Sequence, residues 1–304
     1  MASRFESAEH EREFAACLAR REIPLKFAYA GSAAQTHDEL ARSAGYQEVV
    51  LAVAQEVAVL DGIFLPGPPI ALCDVGPGNG VHSTAFLSQL KLRGHLVSSY
   101  LALDFSHDLL EICLALIQAR LPDLSRSSGT WDFESGPTPE LARWRGTAEP
   151  VLVSLLGHTI GNPQDPGSVL RHIRESCAAG DHLLISAALF PKHQTSSEIL
   201  KPYLTPVFRA AALEPFFAAG VPRENLAFDV QMDGQDVIAE AIVLEDTVAI
   251  GVPLHRGERI HCFRSQRFTN DELKGLLEGA GWEVLRSTTD ADASHAALIG
   301  IADA

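Results

Sequence analysis

From about residue 70 onward, hydrophobic positions gather into short unbroken runs separated by stretches with helical spacing. The strand-like runs are PIALCDVG, SYLALDFS, SGTWDFES, EPVLVSLLG and DHLLISAAL. Between them, HSTAFLSQLKLRG, HDLLEICLALIQARL, TPELARWR and DPGSVLRHIRESCAAG place apolar residues three and four apart. Strands joined by helices of this length make βαβ units and a mostly parallel sheet. The alternation stops near Leu189. A helical stretch, SSEILKPYLTPVFRAAALEPFFAAG, and then period-two alternation in LAFDVQMDGQDVIAEAIVLEDTVAI replace it. The tail returns to the first style, with TNDELKGLLEGAG as a helix and WEVLRSTTD and SHAALIGIAD as a terminal hairpin. The pattern predicts an α/β domain over 51–189 and 266–304, interrupted by a smaller α+β unit formed from 1–50 and 190–265.

Composition narrows the classes. With 304 residues and 46% apolar content, the chain can bury a large core. A net charge of −15 disfavours nucleic acid and anionic membranes as partners, because both would repel the protein. The charged start, MASRFESAEHEREFAACLARREI, does not read as a signal peptide. No apolar run approaches the roughly 20 residues that span a bilayer. The five cysteines lack metal-binding spacing and read as small buried hydrophobes in a reducing cytoplasm, with no metal expected. A small-molecule substrate remains the natural partner.

The chemistry concentrates at the turn DVGPGNGVHS, which follows the first run. A P-loop needs GxxxxGK[ST], and this turn has neither the lysine nor the spacing. A dinucleotide fingerprint needs GxGxxG, and GPGNGV departs from it at the third glycine. What remains is Asp-x-Gly-x-Gly-x-Gly at a strand end, with Gly76 and Gly78 baring backbone amides at a helix N-terminus. The pattern resembles motif I of the class I S-adenosylmethionine (SAM) methyltransferases, although an ordinary βα turn would also produce it. Asp104 ends the next strand, where a carboxylate can accept ribose hydroxyls or cap the following helix. Asp132 and Phe133 end the third, where they can meet the adenine.

Further segments carry a closer resemblance. LLGHTIGNPQDP is similar to the LGSTIGN signature of the histidine-specific Nα-methyltransferases that begin ergothioneine synthesis, to which the fungal dimethylallyltryptophan N-methyltransferases are related. LKFAYAGSAAQTHDELARSAGY resembles that family's YxxxGSxLFxxI…EYY segment, with Tyr29, Gly31, Ser32 and Tyr46 in matching places. GERIHCFRSQRF resembles a segment reading roughly IHTEISxKF. The resemblance implies the Rossmann-like, mostly parallel seven-stranded sheet of class I methyltransferases, a substrate-binding or lid unit, and SAM as cofactor. It implies that Gly76, Gly78 and His82 hold the methionine end, Asp104 the ribose and Asp132–Phe133 the adenine, with Tyr29 closing over them. It places Asn162, Tyr203 and Tyr46 at the catalytic positions, and Gly157, His158, Phe263 and Ser265 around the acceptor. Asn162 could instead only cap the helix that follows, and Tyr203 could sit on a helix surface.

Three departures bear on the acceptor. Phe263 stands where the family carries an acid that reads imidazole, His82 where it tends to have a lysine, and His158 where it has a small serine. A phenylalanine cannot accept a ring N–H, so histidine would leave a polar group unpaired at a cost of about 1–3 kcal/mol. The expectation is methylation, most simply on nitrogen, of an amino acid or related amine less polar than histidine, in specialised metabolism. Two other readings stay open. One is a cyclase that consumes SAM alone, closing azetidine-2-carboxylate and releasing methylthioadenosine; the other is a non-catalytic SAM-binding subunit.

Overall fold

Strands form where the chain keeps unbroken apolar runs or strict alternation. The computed structural model describes residues 5–42, 52–146, 150–191 and 194–302. In chain order its strands are β1 (Pro69–Val75), β2 (Leu96–Asp104), β3 (Ser125–Thr130), β4 (Val151–Leu155) and β5 (His182–Ala188). There follow β6 (Leu226–Asp233), β7 (Asp236–Val243), β8 (Thr247–Ala249), β9 (Val252–Leu254) and β10 (Arg259–Gln266), then β11 (Trp282–Thr289) and β12 (His295–Ala302). The chain divides into two compact units, Met1–Tyr46 with His193–Gln266, and Gln47–Lys192 with Arg267–Ala304.

The larger unit is a seven-stranded sheet in the order β11-β12-β5-β4-β1-β2-β3. β1 to β5 run parallel, and β12 joins β5 antiparallel with β11 beside it. Both faces are covered. On β4, Val151, Val153 and Leu155 enter one core, with Cys73 and Val75 of β1; Leu152 enters the other, with Ile70 and Leu72. A strand buried on both faces is apolar almost throughout, which is why VLVSL lacks the alternation of a half-exposed strand; its one polar residue, Ser154, donates its hydroxyl to Asp74. The strand order reverses between β1 and β4, and open α/β sheets bind ligands beside the carboxyl ends of their strands at such a point.

Local chemistry sets the crossover helices. Ser106 caps Ser-His-Asp-Leu-Leu by accepting the Leu109 N–H, and Asp165 does the same for the Ser168 N–H, with Pro166 at the first helical position. The third strand differs from expectation. β3 is SRSSGT, ending at Thr130, so Trp131, Asp132 and Phe133 lie in the turn after it. β3 is an edge strand, where polar residues are tolerated, and the bulky apolar run marks where the chain turns back into the core.

The smaller unit joins a three-stranded antiparallel sheet, β10-β7-β6, to helices Ala8–Ala19, Ser32–Ala41 and Pro206–Ala218. β7 alternates strictly, with Val237, Ala239, Ala241 and Val243 buried. The segment around Glu22 zips onto β10: the Ile23 N–H donates to the His261 carbonyl at 2.8 Å and the His261 N–H to the Arg21 carbonyl at 3.0 Å.

Candidate functional site

Four turns at the carboxyl edge of the large sheet carry most of the residues singled out from sequence. The turn after β1 is held from beneath by Asp74, which is buried. It accepts hydrogen bonds from Ser83 Oγ at 2.6 Å, Ser154 Oγ at 2.8 Å and Tyr100 OH at 2.9 Å. One carboxylate thereby ties β1 to β2, β4 and the following helix, and its hydroxyl partners offset a burial that still raises its pKa. Above it, Gly76 and Gly78 have φ of +65° and +56°. A Cβ on Gly76 would stand 3.4 Å from Thr159 and 3.6 Å from the Phe133 ring, so the missing side chain leaves a cradle between the β1, β3 and β4 turns.

Asp104 closes the second side of the cradle. Its two oxygens each accept one backbone N–H, from Gly78 at 3.2 Å and Ser106 at 3.0 Å. Ser106, not Asp104, caps the next helix. Burial pushes the Asp104 pKa up to about 6, although the backbone N–H groups pull it down. A carboxylate has about four lone-pair sites, so each oxygen retains acceptor capacity. Beyond β3, Asp132 accepts from the Glu134 N–H at 3.1 Å and from Ser135 Oγ at 2.8 Å. Phe133 is buried, with its carbonyl 2.8 Å from His172 Nδ1.

His82 occupies the first turn of the helix Val81–Leu92, with Nε2 2.7 Å from Glu56 Oε2. Burial opposes the charged imidazole, but the Glu56 carboxylate and more distant Asp74 outweigh it and raise the His82 pKa. After β4, the Gly157 N–H donates to Ser186 Oγ at 3.1 Å, and His158 takes φ of +66°. His158 Nε2 lies 2.7 Å from Nδ1 of His295, which opens β12. Burial, and then the neighbouring His295, Arg267 and His82, hold the His158 pKa well below its ordinary value. Burial likewise lowers His295. The pair is therefore neutral at pH 7, one ring donating to the other. Asn162 closes the 3₁₀ turn Thr159–Gly161 through its backbone; Asp165 is the cap of the next helix.

The smaller unit brings together a second set. Tyr203, in a 3₁₀ turn, donates its OH to Ser265 Oγ at 3.3 Å. Its ring lies 5.5 Å from Phe263 and 5.2 Å from Phe208, and Phe208 packs edge-to-face on Phe263 at 4.8 Å. Tyr203 is thus half-buried on an aromatic core, with its hydroxyl joined to β10. Tyr29 meets His37 edge-to-face at 4.3 Å. Tyr46 lies outside the described residues.

A family profile described as histidine-specific methyltransferase, SAM-dependent, matches residues 18–206. The chain belongs to this family. It is a SAM-dependent methyltransferase with the Rossmann-like fold. No curated protein matches the sequence. Among solved structures, a SAM-dependent methyltransferase from Clostridium acetobutylicum is similar at 8% identity and TM-score 0.46, over 84% of this chain and 92% of that one. SAM-bound CalS10, an amino pentose methyltransferase from Micromonospora echinaspora, is similar at 12% identity and TM-score 0.41, over 88% and 95%. A putative methyltransferase complexed with the Haloferax volcanii Trm112 activator is similar at 12% identity and TM-score 0.47, over 88% and 96%.

The methyltransferase's glycine turn suits the cofactor. The cradle at Gly76 is bounded by Phe133 and Thr159, and Asp104 is an acceptor with spare capacity beside it. Glu56 Oε1 and His82 Nδ1 are buried without a partner among the described residues. Two polar contributors were not visible in the pattern of the sequence. Glu56 sits on the short helix Val53–Ala58 with no motif around it. His295 meets His158 only because β12 inserts antiparallel beside β5, pairing His295 with Ala188. Among the described residues, no helix is long and apolar enough to cross a membrane, and no side-chain cluster suits a metal ion.

Proposed function

We propose that this methyltransferase transfers a methyl group to the amine of an amino acid or closely related small molecule whose side chain is less polar than imidazole. One observation carries the acceptor class: position 263 is a buried phenylalanine packed on Phe208 and Tyr203. An imidazole read at that position would lose an N–H acceptor, whereas an aliphatic or aromatic side chain would gain apolar contact. Ser265, 3.3 Å from the Tyr203 hydroxyl, adds one polar contact to an otherwise aromatic lining.

In the large unit, Gly76, Gly78 and His82 would hold the amino-acid end of the cofactor, Asp104 its ribose, and Asp132 with Phe133 its adenine. The family resemblance assigns Tyr29 to the cofactor as well. Bound SAM supplies a methyl group already activated by its sulfonium. The protein's task is to align the amine with that methyl and keep water away. The amine must arrive neutral, and Asn162, Tyr203 and Tyr46 are assigned to orient it and receive its proton directly or through water. Gly157 and neutral His158 would line the acceptor side of the β4 turn. The acidic surface and small-molecule chemistry fit a cytoplasmic enzyme of specialised metabolism.

The test is turnover with a panel of amino acids, following S-adenosylhomocysteine formation. Apolar and aromatic acceptors should outperform histidine by at least tenfold in kcat/KM, the equivalent of about 1.4 kcal/mol. Preferred turnover of histidine would overturn the acceptor assignment and leave the cofactor site untouched.

A further inference from the structure

We propose that Glu56 and His82 together form the subsite for the α-ammonium and α-carboxylate groups at the amino-acid end of the cofactor, with Glu56 also keeping His82 in its donor form. The inference rests on the cofactor reading above and adds a residue and a division of labour to it.

Hydrogen bonding at this pair is unfinished. Glu56 is fully buried and His82 is 8% exposed, and they meet through Oε2 and Nε2 at 2.7 Å. That contact uses half of each side chain. Glu56 Oε1 and His82 Nδ1 remain, buried, with no partner among the described residues. Leaving such groups unsatisfied is costly, and native proteins rarely do so except where a ligand or water completes them. The two remaining groups differ in kind. Glu56 Oε1 is an anionic acceptor; Nδ1 of an imidazole already donating through Nε2 becomes a second donor once the ring is protonated. A spare anionic acceptor beside a spare cationic donor is the complement of one ammonium and one carboxylate on the same carbon.

Position selects the cofactor as the source of that group. His82 lies two residues beyond Gly80, in the first turn of the helix that the glycine turn opens, where helix N–H groups also favour a carboxylate. A protonated imidazole is itself disfavoured at a helix N-terminus, so it needs a resident anion, and Glu56 supplies it. Asp74 adds a second, more distant negative charge. The other titratable neighbours felt within the cluster, His158 and His295, have lowered pKa values and contribute no standing charge at neutral pH.

Calorimetric titration of the full chain with S-adenosylhomocysteine and with methylthioadenosine tests the subsite. Both are neutral thioethers with the same nucleoside, and only the first carries the amino-acid group. The wild type should bind S-adenosylhomocysteine at least tenfold more tightly. Glu56→Gln and His82→Gln should each shrink that preference to within about threefold while leaving methylthioadenosine affinity unchanged. Equal loss of both ligands in the variants, or an unaltered preference, would overturn the proposal in favour of a structural ion pair. Equal affinities of the wild type for the two ligands would also overturn the proposal, because they leave nothing for the subsite to hold. Failure of the wild type to bind either nucleoside would instead remove the cofactor assignment on which the subsite depends.

Discussion

Asp104 faces two opposed demands. Burial makes its charged form expensive, pushing its pKa to about 6, yet the proposed ribose contact needs that charge. Asp104→Ala should therefore weaken SAM binding by about 1.5–3 kcal/mol, roughly ten- to hundredfold, read by calorimetry in a variant whose fold is verified. In the wild type, SAM affinity should fall as pH drops from 7 to 5, because protonation removes the acceptor charge; an affinity flat over that range would count against the assignment. Gly80 poses a different problem at the same turn. With φ of +79°, an added Cβ would stand 2.8 Å from Cys113 Sγ and 3.0 Å from Cys113 Cα. Backbone strain of about 1 kcal/mol then adds to overpacking of about 1–3 kcal/mol. Gly234 has φ of +59° with open space around it, so Gly234→Ala should cost only about the strain. Urea unfolding of the two alanine variants should separate them by at least about 1 kcal/mol.

Among the elements, those with a single strong signal were legible. β1, β4 and β5 are apolar runs that only a doubly covered sheet accommodates, and the glycine turn announces itself by spacing. β3 was misplaced because its own residues, SRSSGT, carry little apolar signal, while the adjoining Trp131–Phe133 carries much. The long helical stretch after Leu189 is broken at Thr205, which caps Pro206–Ala218 by accepting the Phe208 N–H at 3.2 Å. Asp74 could be flagged from its motif, but its three hydroxyl partners come from three other elements and only the fold assembles them. Glu56 and His295 were invisible for the same reason. The aromatic cluster on β10 belongs to this scale as well. Phe263→Leu should keep the fold at a cost below that of a Phe→Ala truncation, which runs at about 3–5 kcal/mol. It should lower kcat/KM for the preferred acceptor more than tenfold while SAM affinity stays within twofold. An equal fall in both would place Phe263 outside the acceptor site.

For the molecule as a whole, stability and ligation carry the readable consequences. His37 is buried, and burial depresses its pKa to about 4. The sign follows from proton binding: the unfolded chain takes up a proton near pH 6.5 that the folded chain refuses until about pH 4. Stability from this group is thus complete above about pH 6.5 and lost as pH falls toward 4, by about 3 kcal/mol. His158 and His295, also depressed, act in the same direction. His37→Leu should flatten the acid-side slope in urea unfolding between pH 6.5 and 4 relative to the wild type; parallel slopes would contradict this. Saturating SAM, at about 100 times its Kd, should add about 2.7 kcal/mol and raise the melting temperature by about 5 °C. The proposed function requires this cofactor's methyl group to end on the nitrogen of a small amino acid. Its most direct test is incubation with methyl-deuterated SAM and the amino-acid panel, followed by mass spectrometry of the intact acceptor and its fragments. N-methylation should leave one trideuteromethyl group on the α-nitrogen of an apolar or aromatic amino acid, with S-adenosylhomocysteine formed in equal amount. Label on carbon or oxygen, or methylthioadenosine accumulating from SAM with no acceptor present, would contradict it.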